Sequence, residues 1–224
     1  MIDGYIFNWS ILWRFAPQFF DGVIVALEIF LLSTLLALVI SIIIVAARVS
    51  SPRILSSMAF IYIELMRNSP SLVKMYFLYF GLPYFGVFLS PFWAAVIALA
   101  LHNASYMAEI LRGGFLVVPN GEIEAAKSTG MSRFQIMLYI VGPQTFYNSL
   151  PGLGNNLTEI MKDTSLTGAL SVEEIFFTTT KLISATQRSF EFLALAALTY
   201  LILTSTTSAA LRYLESRAVY KRRT

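Results

Sequence analysis

Glu124-Ala125-Ala126-Lys127-Ser128-Thr129-Gly130 lies in a polar segment, Arg112 to Leu138, set between two strongly apolar regions. Pro119-Asn120-Gly121 ahead of it is a turn signal. Glu122 to Lys127 then reads as a short helix, with its acids toward the N-terminus, where the macrodipole favours them. Ala125 and Ala126 leave a smooth surface that another protein can approach closely. Gly130 permits the left-handed turn that stops the helix, and Ser132 can cap the next one from Arg133 on. In a chain otherwise embedded in a membrane, such a helix is expected to be a docking site for a soluble partner. An ordinary helix–turn–helix connector between two spans would carry the same local signals.

The embedding follows from composition. Of 224 residues, 57% are hydrophobic and 13% charged. Soluble domains run at about 45–50% apolar and about 25% charged, so both departures point to a polytopic membrane protein. The chain has no cysteine, which excludes disulfides, thiolate chemistry and zinc–thiolate sites. One histidine, His102, leaves little room for a His-based metal site. No catalytic residue and no metal site are expected. No Gly-x-x-x-x-Gly-Lys-Ser/Thr phosphate loop occurs, so ATP hydrolysis is not expected in this chain. The N-terminus carries Asp3 rather than a basic cluster and lacks a small-residue cleavage site. The first membrane helix is therefore expected to act as an uncleaved targeting signal.

Working outward from the polar segment, about five membrane-spanning helices are expected, each of about 20 apolar residues. They are Val23 to Ala47, Ser71 to Leu89, Phe92 to Leu111, Tyr139 to Met161 and Phe192 to Leu211. Ile54 to Met66 is short and interrupted by Glu64, and reads as a helix at the membrane surface ending near Asn68-Ser69-Pro70. Tyr139 to Met161 is a poor helix, because Pro143, Pro151, Gly152 and Gly154 lie within it. The expected fold is an all-α membrane protein, a polytopic bundle forming one transmembrane domain over residues 1–224. Residues 1–21 form an extracytoplasmic lead-in, 112–138 the cytoplasmic loop, and 212–224 a basic cytoplasmic tail.

The distribution of Lys and Arg orients the bundle. With the N-terminus outside, the inside segments carry Arg48, Arg53, Arg67, Arg112, Lys127, Arg133, Arg212, Arg217, Lys221, Arg222 and Arg223. The outside segments carry Arg14, Lys162, Lys181 and Arg188. This bias places the Glu124–Gly130 loop and the C-terminus in the cytoplasm.

Five stretches, in order along the chain, resemble one family. Glu124-Ala125-Ala126, with Gly130 and then Pro143-Gln144, is similar to the EAA loop of ABC-importer permeases. Arg67-Asn68-Ser69-Pro70-Ser71-Leu72 resembles the Arg-Gly-Thr-Pro-Leu-Leu stretch of polar amino-acid uptake permeases, and Tyr79-Phe80-Gly81-Leu82-Pro83 their Tyr-Phe-Gly-Leu-Pro. Tyr106-Met107-Ala108-Glu109-Ile110-Leu111-Arg112-Gly113-Gly114 and Lys162-Asp163-Thr164-Ser165-Leu166 resemble two further segments. The resemblance is to the histidine/glutamate/glutamine/arginine/opine group of ABC permeases. It implies that Gly121, Glu122, Glu124, Ala125, Ala126 and Gly130 form a coupling helix seated on a separate ABC ATPase, which binds ATP and Mg. It also implies a second permease subunit, identical or paralogous, an extracytoplasmic solute-binding protein, and residence among the lipids of a bacterial inner membrane. No nucleic-acid partner is expected. The chain departs from the family pattern at Glu122, where glutamine is usual, at Gly142 before Pro143-Gln144, at Ser105, and at Asn68-Ser69.

A substrate pathway is expected along the fourth span. Asn156, Glu159 and Asp163 fall on one helical face. An ionised group at the bilayer centre costs at least ~2.5–3.5 kcal/mol, so such groups should face protein or water. Carboxylates could hold an ammonium group, and amides and hydroxyls a carboxylate. Asn103, Ser105 and Tyr106 on the third span, with Thr164 and Ser165 after the fourth, complete the candidate set. A hydrated outer helix end, with Lys162 paired to Asp163 or Glu159, is the alternative. Arg67, Pro70, Glu109 and Arg112 are expected to brace the structure; Glu109 and Arg112 stand at i and i+3. His102 is expected to be a hydrogen-bonded buried histidine.

The resulting expectation is an ATP-driven, binding-protein-dependent importer subunit for polar amino acids or related compounds. An ion-coupled transporter using Glu28, Glu159 and Asp163 is the alternative, but no inverted repeat is evident. An intramembrane hydrolase using His102 and Ser105 lacks a nucleophile-elbow signature.

Overall fold

The computed structural model describes residues 6–50 and 52–223, with side chains included except at Ser50 and residues 217–223. Among the described residues all regular structure is helical. The helices are α1 (Ser10–Ser50), α2 (Arg53–Arg67), α3 (Ser71–Tyr76), α4 (Pro91–Leu116), α5 (Asn120–Ser128), α6 (Arg133–Ile136), α7 (Gly142–Asp163), α8 (Ile175–Thr186) and α9 (Ser189–Arg223). Ser10–Val49, Pro91–Leu116 and Ser189–Ser216 are each long and apolar enough to cross a bilayer. The chain is an all-α membrane protein. The side chains of the basic tail from Arg217 on lie outside the described residues.

Of the expected lead-in, residues 1–5 lie outside the described residues, and α1 begins within the remainder. α1 runs unbroken from Ser10 through Pro17 for 41 residues, roughly 60 Å at ~1.5 Å per residue. The stretch from Ser71 to Leu89 is not one regular helix either. α3 passes into a π-helical turn over Phe77–Gly81 and a 3-10 turn over Leu82–Phe85, and the helix ends at Gly86, which adopts φ +79°. Proline is the cause: the Pro83 ring cannot sit above the Tyr79 carbonyl. The Leu82 N–H instead donates to the Phe77 carbonyl, widening the turn. Pro143 is absorbed in the same way. A second π-helical turn, Met137–Val141, precedes it, and the Gly142 N–H donates to the Met137 carbonyl. The fourth span is thus a better helix than its prolines imply, since α7 continues through Pro151.

The chain divides into two compact units, each built from three separated stretches. The first contains the chain up to Ser33, Ser71–Leu99 and Ile160–Ser205. Its core packs Ile29 and Met75 against Ala94, Ala95, Val96, Ala98 and Leu99, under Leu170 and Val172. Lipid is as apolar as leucine, so small residues that let backbones approach drive such packing rather than water exclusion. A second cluster joins Phe19, Ala26, Ile175 and Ala196. Two buried glutamates organise this unit, and neither was expected from sequence. Glu191 accepts a hydrogen bond from the Asn8 N–H at 2.8 Å, while Arg188 Nη1 donates to the Ile6 carbonyl at 2.6 Å. Glu174 caps α8, accepting from the N–H groups of Phe176 and Phe177 at 2.8 Å each, and from the Tyr200 hydroxyl at 2.7 Å. Burial pushes the Glu174 carboxyl above the usual range, against the pull of those two N–H groups.

Glu174→Ala removes a helix cap and leaves Tyr200 without its acceptor. A lost cap costs about 0.5–2 kcal/mol, so the thermal midpoint in detergent is expected to fall by roughly 5 °C. Glu174→Gln keeps an accepting oxygen and is expected to lose less. Equal losses in a thermal-shift assay would contradict the capping role.

The second unit contains Thr34–Pro70, Ala100–Glu159 and the chain from Thr206. Here α2 is fastened to α4. Tyr62 Oη donates to the Leu101 carbonyl at 2.7 Å, His102 Nδ1 meets the Met66 carbonyl at 3.1 Å, and Tyr106 Oη donates to the Arg67 carbonyl at 3.4 Å. These contacts fasten the C-terminal half of α2 along α4, within the third span. A carbonyl partner makes His102 Nδ1 the protonated nitrogen. α4 and α7 cross closely: a Cβ on Gly152 would stand 2.8 Å from Ile110 Cγ2, and one on Gly114 2.7 Å from the Thr145 carbonyl.

Candidate functional site

The exposed helix α5 is held by its two ends. At its start, Val118 N–H donates to the Phe115 carbonyl and Glu122 N–H to that of Pro119. At its end, Gly130 has φ +82°. Gly130 N–H donates to the Lys127 carbonyl at 3.0 Å and Met131 N–H to the Ala126 carbonyl at 3.2 Å. These two bonds form a Schellman motif, which needs the left-handed residue. The chain then re-enters helix immediately. Ser132 and Gln135 form a reciprocal capping box, with Ser132 N–H to Gln135 Oε1 at 2.8 Å and Gln135 N–H to Ser132 Oγ at 3.3 Å. Beneath the loop, Ala126, Val118, Ile136 and Val141 form a small buried cluster, flanked by Phe115, Ile123, Met131 and Ile140.

This packing sorts the candidate coupling residues. Gly121, Glu122, Glu124, Ala125 and Gly130 are exposed, while Ala126 faces inward at 7% exposure. Ala126 is therefore part of the loop's own support. Glu122 also reaches α7, where its carboxylate accepts a hydrogen bond from Gln144 Nε2.

Further along the same unit, Asn156 Nδ2 of α7 donates to Asn103 Oδ1 of α4 at 3.0 Å, and both side chains are buried. Asn156 Oδ1 is buried with no hydrogen-bond partner. Ser105, fully buried, spends its hydroxyl proton on the His102 carbonyl at 2.6 Å. Tyr106 lies under the Arg67 guanidinium, 5.1 Å from ring centroid to Cζ, a cation–π contact. Arg112 grips Glu109 through two donors, Nε and Nη2, at 3.0 and 2.7 Å. Arg67 and Pro70 are exposed, as is Glu159. The remaining candidates belong to the first unit. Thr164 Oγ1 donates to the Met161 carbonyl and Ser165 Oγ to that of Lys162, both at 2.8 Å, and Asp163 is half-buried.

The sequence of this helical chain also matches a protein-family model. Residues 37–220 fit the model for the binding-protein-dependent transport system inner membrane component. The chain belongs to that family. Among its relatives, the octopine transport system permease protein OccM of Rhizobium radiobacter is 38% identical over 206 residues, covering 88% of this chain and 84% of that one. The glutamine transport system permease protein GlnP of Escherichia coli (strain K12) is 34% identical over 213 residues, covering 94% and 97%. A crystal structure of an amino acid ABC transporter with histidines superposes with TM-score 0.87 at 31% identity, over 95% of this chain and all of that one. The permease is thus a transport component of the inner membrane, and its polar side chains are to be judged by what they bind or brace.

Proposed function

We propose that this permease is one membrane subunit of an ATP-driven importer of polar amino acids or related compounds, working with an ABC ATPase, a second permease subunit and an extracytoplasmic binding protein. The observation that carries the reading is α5: a short helix exposed on the loop, locked at its end by a Schellman motif and carried on a buried cluster. Glu124, Ala125, Gly121 and Gly130 present the surface for the ATPase, Ala126 anchors it, and Glu122 turns its carboxylate to Gln144 of α7. ATP and Mg are bound in the partner. The N-terminus is outside and the basic C-terminus cytoplasmic, as the Lys and Arg distribution requires.

In this scheme ATP binding closes the ATPase pair and displaces α5, and rigid coupling carries that displacement into α4 and α7. The pathway between two permease subunits then opens outward to receive substrate from the binding protein. Hydrolysis resets it. Asn103 and Asn156 mark the polar part of the route in this chain, because the unpaired Asn156 Oδ1 offers an acceptor there. Names of the relatives supply the substrate class: octopine and glutamine both carry an α-amino acid group.

The test is co-purification. A C-terminally tagged chain extracted mildly from native membranes is expected to bring down an ABC ATPase in stoichiometric amount. A chain that purifies without any ATPase would end this proposal and favour ion-coupled uptake through Glu159 and Asp163.

A further inference from the structure

We infer that Glu122 and Gln144 form a strut that makes the exposed helix α5 and the first turn of α7 move as one body. The inference rests on the importer function proposed above.

The covalent route from α5 to α7 passes two structures of different stiffness. The first, through Gly130 to Ser132, is rigid: a Schellman motif meets a capping box with no free residue between them. The second is the π-helical turn Met137–Val141, whose widened spacing departs from the ordinary helical ladder. Such turns commonly stand at functional sites. A displacement of α5 that travelled only along the backbone would have to cross this widened turn. The Glu122 carboxylate bypasses it, because it accepts directly from Gln144, the residue after Pro143.

Neither side chain is occupied in finishing its own helix. The N-cap of α5 is Pro119, with no side-chain capping bond. Gln144 is half-buried against the loop, and Glu122 is exposed where α5 begins. A charged acceptor makes the bond stronger than an amide pair would. α7 in turn carries Asn156, hydrogen-bonded to Asn103 of α4. The strut therefore connects the surface that meets the motor with the helix that bears the polar pair. Glu122 and Gln144 act as positioning residues, and neither is required to touch substrate.

The assembled transporter in proteoliposomes tests this, with a labelled amino-acid mixture as the probe and ATP hydrolysed per molecule imported as the readout. Glu122→Ala and Gln144→Ala are each expected to raise that ratio about fivefold, the equilibrium equivalent of one hydrogen bond. The double variant is expected to be no worse than the worse single one, because both remove the same bond. Glu122→Gln, which keeps an accepting oxygen, is expected to return close to the parent ratio. The chain has no cysteine, so Glu122→Cys with Gln144→Cys can be joined selectively by a short bifunctional thiol reagent. The joined form is expected to import at the parent ratio, and the same variant before joining to waste ATP. Unchanged ratios in the alanine variants, additive losses in the double variant, or arrest of import on joining would each overturn the strut. Failure of every chain, parent included, to associate with an ATPase would overturn the importer function instead, and the strut with it.

Discussion

Gly130→Val is expected to reduce uptake by the assembled transporter about five- to thirtyfold while leaving the membrane fold intact. Gly130 holds φ +82°, and no atom lies within 4 Å of where its Cβ would stand. The cost of a side chain is therefore backbone strain alone, with no clash. A left-handed residue other than glycine costs roughly 1–2 kcal/mol, and a β-branched one is a genuine outlier there. The cheapest escape is to give up the left-handed turn. That breaks the bonds from Gly130 and Met131 to Lys127 and Ala126, and frees Met131 from the cluster beneath the loop. α5 then loses its fixed direction, which is what a docking partner reads. A shift of 1–2 kcal/mol depletes the competent loop by about five- to thirtyfold. Gly130→Asn tolerates the left-handed region better and is expected to retain most of the uptake. Co-purified ATPase, measured beside uptake, should fall in the valine variant and persist in the asparagine one. Full activity of Gly130→Val would show that the end of α5 does not set the docking geometry.

The loop was legible in the sequence because its signals are local. Gly130 and Ser132 act within a few residues of themselves, so their roles as helix stop and N-cap could be read without a neighbour. What misled was also local. Pro143, Pro151 and two glycines predict a broken fourth span, yet a widened turn absorbs Pro143 and the helix continues through Pro151. The same device at Pro83 turns an expected span into a mixed helical segment. α2 reads as a surface helix because it is short and carries Glu64, but that pattern does not name its partner. The hydrogen bonds that hold it to α4 come from Tyr62, His102 and Tyr106, and Tyr62 and Leu101 lie 39 residues apart. Glu174 and Glu191 escaped notice for a related reason. Both sit near Lys181 and Arg188 in a stretch that reads as hydrated loop, and glutamate is not among the preferred N-caps. Only the apolar run Ile175-Phe176-Phe177 after Glu174 hinted at burial. The Asn103–Asn156 pair, 53 residues apart, was placed along the route by residue type, but its pairing is a product of the fold.

Gly113 and Gly114 stand side by side in α4, and their substitution is expected to have opposite consequences. A Cβ on Gly113 would meet nothing within 4 Å. Gly113→Ala removes backbone entropy from the unfolded chain at no steric cost, so it is expected to stabilise by about 0.5–1 kcal/mol. A Cβ on Gly114 would collide with Ser149 Oγ and stand 2.7 Å from the Thr145 carbonyl oxygen. The serine can rotate, but the carbonyl belongs to α7 and moves only with the helix. Separating the two helices then strains the bonds from Asn148 Nδ2 to the Gly114 carbonyl and from Ser149 Oγ to that of Ile110, both 3.2 Å. Overpacking costs typically 1–3 kcal/mol, and each interhelical hydrogen bond in a membrane adds about 0.6–2 kcal/mol. Gly114→Ala is therefore expected to lower the thermal midpoint by roughly 10 °C, and Gly114→Val to abolish a folded preparation. The offending atom is the Cβ itself, so even alanine should be costly, which distinguishes a backbone crossing from a shortage of side-chain space. If Gly114→Ala melts like Gly113→Ala, α4 and α7 do not cross as closely as described. The assignment of Asn103 and Asn156 to one polar pair would then fall as well, because that crossing holds the two helices in register.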